Sequence, residues 1–244
     1  MTPSKRSSRS YKISSDKLSI VVPLYNEEAG CKSFAQNLTD CFDQQGLNYE
    51  LILVDNGSVD RTGQLINELS LTNPRITGVR VEVNQGFGWG IINGLQAASG
   101  DYVGFMGGDE QIRAEDVVAV YRKLLDEGLD FCKVKRITRH DGIWRGLISS
   151  IYNLLFPLLF AVKSTDINGT PKIFTVAALK KVFPTARDWF LDAEVMIKAA
   201  RAGLRMGEIE IEFLPRQSGS SNVRLSTIVE FFKNMLYYRL RGFK

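Results

Sequence analysis

The sequence predicts an α/β protein built on a mostly parallel, doubly wound sheet flanked by helices. Three observations predict it. Apolar runs of strand length alternate with stretches of helical spacing through the first half of the 244-residue chain. The first two strands each run into a cluster of Asn, Asp, Glu, Ser and Gly, LSIVVPLYNE and LILVDNGSVDRT. A later strand ends in GGDEQ. Polar loops at the carboxyl edge of parallel strands are where open α/β folds bind ligands.

The elements follow in order. Residues 18–24 read as a strand, and 27–45 as a helix with apolar Ala29, Phe34, Leu38 and Phe42 on one face. A strand at 50–54 ends on Asp55, a helix covers 62–71 and a short strand 76–81. Residues 87–98 follow a glycine-rich start, and 102–106 is a strand. The helix expected at 114–127 opens with acidic residues, which the helix dipole favours. A strand covers 129–134. Beyond His140 the pattern changes. Residues 146–162, GLISSIYNLLFPLLFAV, are short for a bilayer span and contain Pro157. Two interfacial helices broken near Pro157 are the expectation, with a buried core helix as the alternative. Residues 166–174 form a turn-rich loop leading into a strand, 189–202 a helix, and 206–213 another strand. Residues 215–222 are a polar loop. Residues 225–244 read as a basic amphipathic helix, lying on a membrane or docked on the domain. Residues 1–17, polar and basic, read as a disordered tail, which leaves 18–224 as one domain.

Composition narrows the chemistry. The formal charge of +4 is a mild excess that suits phosphates or anionic lipid, and no nucleic-acid partner is expected. Cys31, Cys41 and Cys132 lack metal-type spacing and suit a reducing compartment. His140 is the single histidine, which argues against a multi-histidine metal site or a hydrolase triad.

The polar loops offer the groups that a nucleotide sugar needs. Pro23, Tyr25, Asn26 and Glu27 can line a base and ribose, with Asp55 opposite them and Ser58 and Asp60 in the next turn. Gly86 and Gly88 would let backbone approach a ligand closely. Asp109 can ligate Mg²⁺ or Mn²⁺, with Gln111 two residues on. Arg216, with Ser218, Gly219, Ser220 and Ser221, makes a loop able to close over phosphates.

Taken in order, VPLYNE, VDNGSVDRT, NQGFGWGIINGLQAASGDYVGFM, GGDEQ, DINGTPKIF, WFLDAEVMIKAARAG and PRQSGSS resemble family 2 glycosyltransferases over about Leu18–Asn222. The chain looks most like the branch of dolichol-phosphate mannosyltransferases and polyprenyl-phosphate glycosyltransferases. The resemblance implies a GT-A fold and inverting transfer from a GDP- or UDP-linked sugar. It implies a polyprenyl phosphate acceptor at the cytoplasmic membrane face and a peripheral protein there. Arg136 and Arg139 would meet the acceptor phosphate, as would Arg224 if it replaces a lysine that relatives carry near Asn222. Asp192 and Glu194 match an acidic site that serves as base for hydroxyl acceptors; with a lipid phosphate they would bind sugar or cap the helix. Asp109, Asp192 and Arg216 are thus the candidate catalytic residues. Relatives carry Asp-Ala-Asp where this chain has Gly107, Gly108 and Asp109, and Asp-Asp where it has Asp55-Asn56. A hydroxyl acceptor, or nucleotide-sugar binding with little catalysis, are the alternatives, and the oligomeric state is left open.

Overall fold

The computed structural model describes residues 16–138, 156–157, 159–162, 164, 166–214 and 233–240. Seven strands form one sheet in the order β3-β2-β1-β4-β6-β5-β7. The strands are β1 (Leu18–Leu24), β2 (Tyr49–Asn56), β3 (Ile76–Val81), β4 (Tyr102–Phe105), β5 (Phe131–Thr138), β6 (Lys172–Thr175) and β7 (Met206–Glu212). The helices are α1 (Cys31–Gln44), α2 (Thr62–Thr72), α3 (Phe87–Ala97), α4 (Ala114–Asp126), α5 (Val176–Val182) and α6 (Leu191–Arg201). Residues 233–240 form a further helix, α7.

Period-two alternation assigns each strand residue to a face. Leu18, Ile20, Val22 and Leu24 of β1 join Leu51 and Leu53 of β2 in a core with Phe34, Leu38 and Phe42 of α1 and Val117, Tyr121 and Leu124 of α4. Val21, Ile52 and Val54 face the opposite core, with Ile91 and Leu95 of α3 and Leu191, Val195 and Met196 of α6. Each such fully buried side chain contributes roughly 1.5–3 kcal/mol. Both faces are covered, so the strands read as nearly continuous apolar runs. Cys31, Cys41 and Cys132 are buried free thiols. Burial pushes Cys31 up to about 11 and Cys132 up to about 12, which keeps both protonated.

The sheet is mostly parallel, but β6 runs antiparallel to both neighbours, β4 and β5. Its first residue, Lys172, therefore lies beside Phe105 at the carboxyl end of β4. This single reversal delivers a chain segment to the carboxyl edge of the parallel strands.

Several elements differ from the expectation. Helix α1 starts at Cys31 rather than near residue 27, because the amides of Glu27 and Glu28 donate to Thr62 Oγ1 and Asp60 Oδ2 at the head of α2. Strand β5 runs on to Thr138 because it pairs along its length with β7. Helix α5 was not expected; Thr175 Oγ1 caps it by accepting from the Ala178 amide at 3.1 Å. In the segment expected to hold interfacial helices, Phe156, Phe160 and Val162 are buried in the core that α3 and α6 share, while Leu159 is exposed. Residues 146–155 and 158 of that segment lie outside the described residues. Among the described residues no helix is long and apolar enough to cross a membrane. Helix α7 docks through buried Met235 and through Tyr238, which stacks on Phe190 at 4.7 Å, and leaves Leu236, Tyr237 and Leu240 exposed.

Candidate functional site

The loops after β1 and β2 are joined by reciprocal bonds. The Asn26 amide donates to Ser58 Oγ at 3.1 Å, and the Val59 amide donates to Asn26 Oδ1 at 3.0 Å. Asn26 adopts φ +53°, a conformation that asparagine tolerates better than most residues. The Arg61 amide donates to Glu28 Oε2 at 3.0 Å. Asp60 accepts from the Thr62 amide, the Thr62 hydroxyl and the Glu28 amide. Burial opposes its ionisation, but these bonds outweigh burial and hold the carboxyl below its ordinary value. Asn26, Ser58 and Asp60 thus build the wall of the site. Buried Asp55 accepts from the Ser58 amide at 2.9 Å, and a side chain at position 63 would collide with its Oδ2. Pro23 is buried beside Val54, whereas Tyr25 is exposed and offers a ring for stacking.

Gly86 and Gly88 sit further along this wall. A Cβ on Gly86 would lie 2.5 Å from the Arg187 carbonyl oxygen, and one on Gly88 would lie 2.4 Å from that of Ala186. The neighbour these glycines admit closely is the backbone that leads into α6. Gly86 also has φ +116°, open to glycine alone. The Phe87 and Trp189 rings stack at 4.4 Å across the same contact.

Asp109 lies in the turn after β4 and its carboxylate approaches the Gln111 amide at 3.4 Å. Gln111 Nε2 donates to the Leu214 carbonyl at 3.0 Å, which ties this loop to the end of β7 and leaves Oε1 as the atom able to meet a cation. A Cβ on Gly107 would meet nothing but the Asp109 carboxylate, at 3.7 Å. Among the described residues no cluster of three or more His, Cys, Asp or Glu could hold a metal. One carboxylate beside open space fits a hard cation that takes its remaining ligands from a pyrophosphate and water. It does not fit a cage made by protein alone.

Asp192 and Glu194 open α6, and the structure separates their roles. Glu194 is fully buried. It accepts from the Thr185 hydroxyl, from the amides of Thr185 and Ala186, and pairs with Lys198 at 2.7 Å. The expectation that Glu194 contacts an acceptor is corrected: both its oxygens are spent on the segment before α6. Asp192 pairs instead with the fully buried Lys172 of β6. Arg136, on β5, donates to both oxygens of Asp166 at 2.9 and 2.7 Å, so it reaches the site already paired. Arg139, Arg216, Ser221 and Arg224 lie outside the described residues.

Lys172, Lys133 and Asp166 escaped sequence reasoning. The sequence reading gave neither lysine a role, and coverage of the sheet on both faces buries them. The signal available was a cation inside each of two apolar strand runs.

An α/β sheet with paired acidic loops at its carboxyl edge and an Asp-x-Gln turn beside them places a candidate ligand site where open α/β folds bind their ligands. The chain belongs to glycosyl transferase family 2, whose model matches residues 19–183. It is 31% identical over 137 residues to an undecaprenyl-phosphate 4-deoxy-4-formamido-L-arabinose transferase from Aeromonas hydrophila, covering 56% of this chain and 42% of that protein. It is 30% identical over 140 residues to the protein of the same name from Salmonella paratyphi B, covering 57% of this chain and 42% of that one. The chain therefore matches less than half the length of these relatives. In fold it resembles glucosyl-3-phosphoglycerate synthase from Mycobacterium tuberculosis, solved with Mn²⁺, UDP and phosphoglyceric acid. That match has a TM-score of 0.71 at 22% identity, covering 94% of this chain and 80% of the other.

Proposed function

We propose that the protein transfers a sugar, with inversion, from a nucleotide-diphosphate-sugar to a polyprenyl phosphate, working as a peripheral protein at the cytoplasmic membrane face. The observation that carries this reading is the pairing of Asp192. A hydroxyl acceptor needs a carboxylate that is not already engaged by a cation to take its proton. Asp192 is almost wholly buried and held by Lys172. A phosphate monoester is ionised near neutral pH and brings its own nucleophilic oxygen. That oxygen would form the new bond to the anomeric carbon as the bond to the β-phosphate breaks, and the nucleoside diphosphate would leave with the electron pair. The relatives named above support the acceptor, since their names specify undecaprenyl phosphate.

In this reading Tyr25 stacks on the base, and Glu27 and Asp55 accept from the nucleoside. Asp109 and Gln111 would hold Mg²⁺ or Mn²⁺, which would supply positive charge beside the pyrophosphate. Arg216 and Ser221 close on the phosphates, and Arg136, Arg139 and Arg224 face the acceptor. Exposed Leu236, Tyr237 and Leu240 on α7, beside Lys233 and Arg239, suit an anionic lipid surface.

The test is release of nucleoside diphosphate by purified protein with Mg²⁺ or Mn²⁺ and a panel of GDP- and UDP-sugars, with and without a short polyprenyl phosphate. Lipid-dependent release is expected. Release that needs a glycan hydroxyl instead, with a large rate loss in Asp192→Asn, would replace the acceptor.

A further inference from the structure

Two fully buried lysines face each other across the sheet: Lys133 of β5 stands opposite Lys172 of β6. Lys172 pairs with Asp192 at the head of α6. Lys133 Nζ donates to the carbonyls of Asp166 at 2.6 Å and Val134 at 3.0 Å, and pairs with Glu208 at 3.0 Å. Glu208 in turn accepts from Ser164 at 2.6 Å, and the Asp166 carboxylate holds Arg136. A line of charged side chains thus crosses from α6 to the strand that carries Arg136, with the two lysines adjacent at its centre. Apolar residues of similar size would fill such a core at least as stably, since burying ions is costly even when they are paired. The arrangement also spends only one oxygen of Asp192. Its Oδ2 has no partner among the described residues.

We propose that Lys172 is a positioning residue for sugar transfer: its ammonium anchors Asp192 through Oδ1 and presents Oδ2 to a hydroxyl of the donor sugar. This rests on the proposed function and deepens it. It gives Asp192 a sugar-binding role in place of a proton-abstracting one. The groups facing Lys172 are Asp192 from α6, Lys133 from β5, Asp166 from the loop before β6, and the Phe105 ring of β4, 5.8 Å from Nζ. Burial pushes Lys172 down to about 8; Asp192 and Asp166 oppose that shift and Lys133 adds to it. The anchor is therefore lost as pH rises through that value, and sugar binding weakens with it.

The experiment compares affinities of the wild type, Lys172→Met, Lys172→Arg, Asp192→Asn and the Lys172→Met/Asp192→Asn double variant. Each is titrated calorimetrically with a nucleotide sugar and with the matching nucleoside diphosphate, across pH. Lys172→Met should weaken the nucleotide sugar by about tenfold while leaving the diphosphate within about twofold, and Lys172→Arg should restore part of the loss. The double variant should be no weaker than Asp192→Asn, because both changes break one interaction. The fall in sugar affinity near pH 8 should be absent from Lys172→Met. Equal weakening of sugar and diphosphate, or losses that multiply in the double variant, would overturn the proposal. Where Lys172→Met fails to fold, Lys172→Arg and the charge-free double variant decide the matter. If the wild type transfers no sugar to lipid, the proposed function fails, and the binding comparison still decides Lys172.

Discussion

The side-chain amide of Asn56 donates to the Gly86 carbonyl at 3.0 Å, tying the end of β2 to the head of α3. Asn56 is buried, and its Oδ1 has no partner among the described residues. Gly86 is itself pressed against the Arg187 backbone, so this one bond links β2, α3 and the segment before α6. An aspartate has no N–H to give and would place an oxygen against the carbonyl. Asn56→Asp should therefore cost about 2 kcal/mol, the penalty for a buried acceptor left without its donor. Urea unfolding followed by tryptophan fluorescence would show the midpoint falling. An unchanged midpoint would mean that the bond adds nothing.

Glu194 gives a sharper separation of stability from function. Its carboxylate receives the amides of Thr185 and Ala186 and the Thr185 hydroxyl, from the segment before α6, and Lys198 from within the helix. Glu194→Ala leaves those amides and the hydroxyl unpaired and takes the counter-charge from Lys198, which keeps its bond to the Phe183 carbonyl, and should cost about 3 kcal/mol. Acceptor affinity per folded molecule should stay as in the wild type, because the group is fully buried. A selective loss of acceptor affinity in a well-folded variant would return Glu194 to the binding surface.

Most of the fold was legible because strand and helix periods are local properties. The 18–24 and 76–81 strands coincide with β1 and β3. The order of the strands and the reversal of β6 are not local, since PKIF looks the same in either direction. The paired loops were legible for a similar reason: Asn, Asp and Ser after an apolar run mark turns whether they bind ligand or each other. What the residues did not reveal is the division of labour. Asn26, Ser58 and Asp60 spend their polar atoms on building the wall, Glu194 on closing a loop, and two strand lysines turn inward. Asn26, Ser58 and Asp60 depend on a loop 32 or 33 residues away in sequence, Glu194 on how the chain eight or nine residues before it folds back, and the lysines on which face of a strand a distant helix covers.

Gly107 leaves a measurable opening beside the candidate metal ligand. Its added Cβ would lie in open space apart from Asp109 Oδ1 at 3.7 Å, and its φ is not positive, so an aspartate fits without displacing backbone. Gly108 differs, because a Cβ there would lie 2.3 Å from Leu24 Cδ2. Gly107→Asp should tighten Mn²⁺ binding in the presence of nucleoside diphosphate by about tenfold, as a second carboxylate joins the first. Asp109→Ala should abolish both Mn²⁺ binding and turnover while the protein stays folded. Electron paramagnetic resonance of free Mn²⁺ during titration reads both variants; full turnover in Asp109→Ala would remove Asp109 from the site.

At the opposite edge of the sheet, Glu50 makes the acid dependence of stability predictable. Its Oε1 accepts from Ser19 Oγ at 2.5 Å and the Ser99 amide at 2.7 Å, and its Oε2 from Lys17 Nζ at 2.6 Å. Burial alone would raise its pKa, but the bonds from Lys17, Ser19 and Ser99 outweigh burial and hold it below 4.5. Between that folded value and 4.5 the unfolded chain binds more protons than the native one, so stability rises with pH across the window. The contribution is complete above 4.5 and is lost as pH falls through the folded value. Glu50→Gln should lower stability at neutral pH by about 2 kcal/mol, the worth of hydrogen bonds to a charged group. The variant should also melt with a shallower pH dependence on the acid side. Catalysis per folded molecule should not change, since Glu50 sits at the amino edge, where it faces Ser19, away from the loops that follow Leu24 and Asn56. Thermal melts of both proteins through the acid range would decide it: parallel curves would mean that Glu50 titrates alike in the folded and unfolded chain.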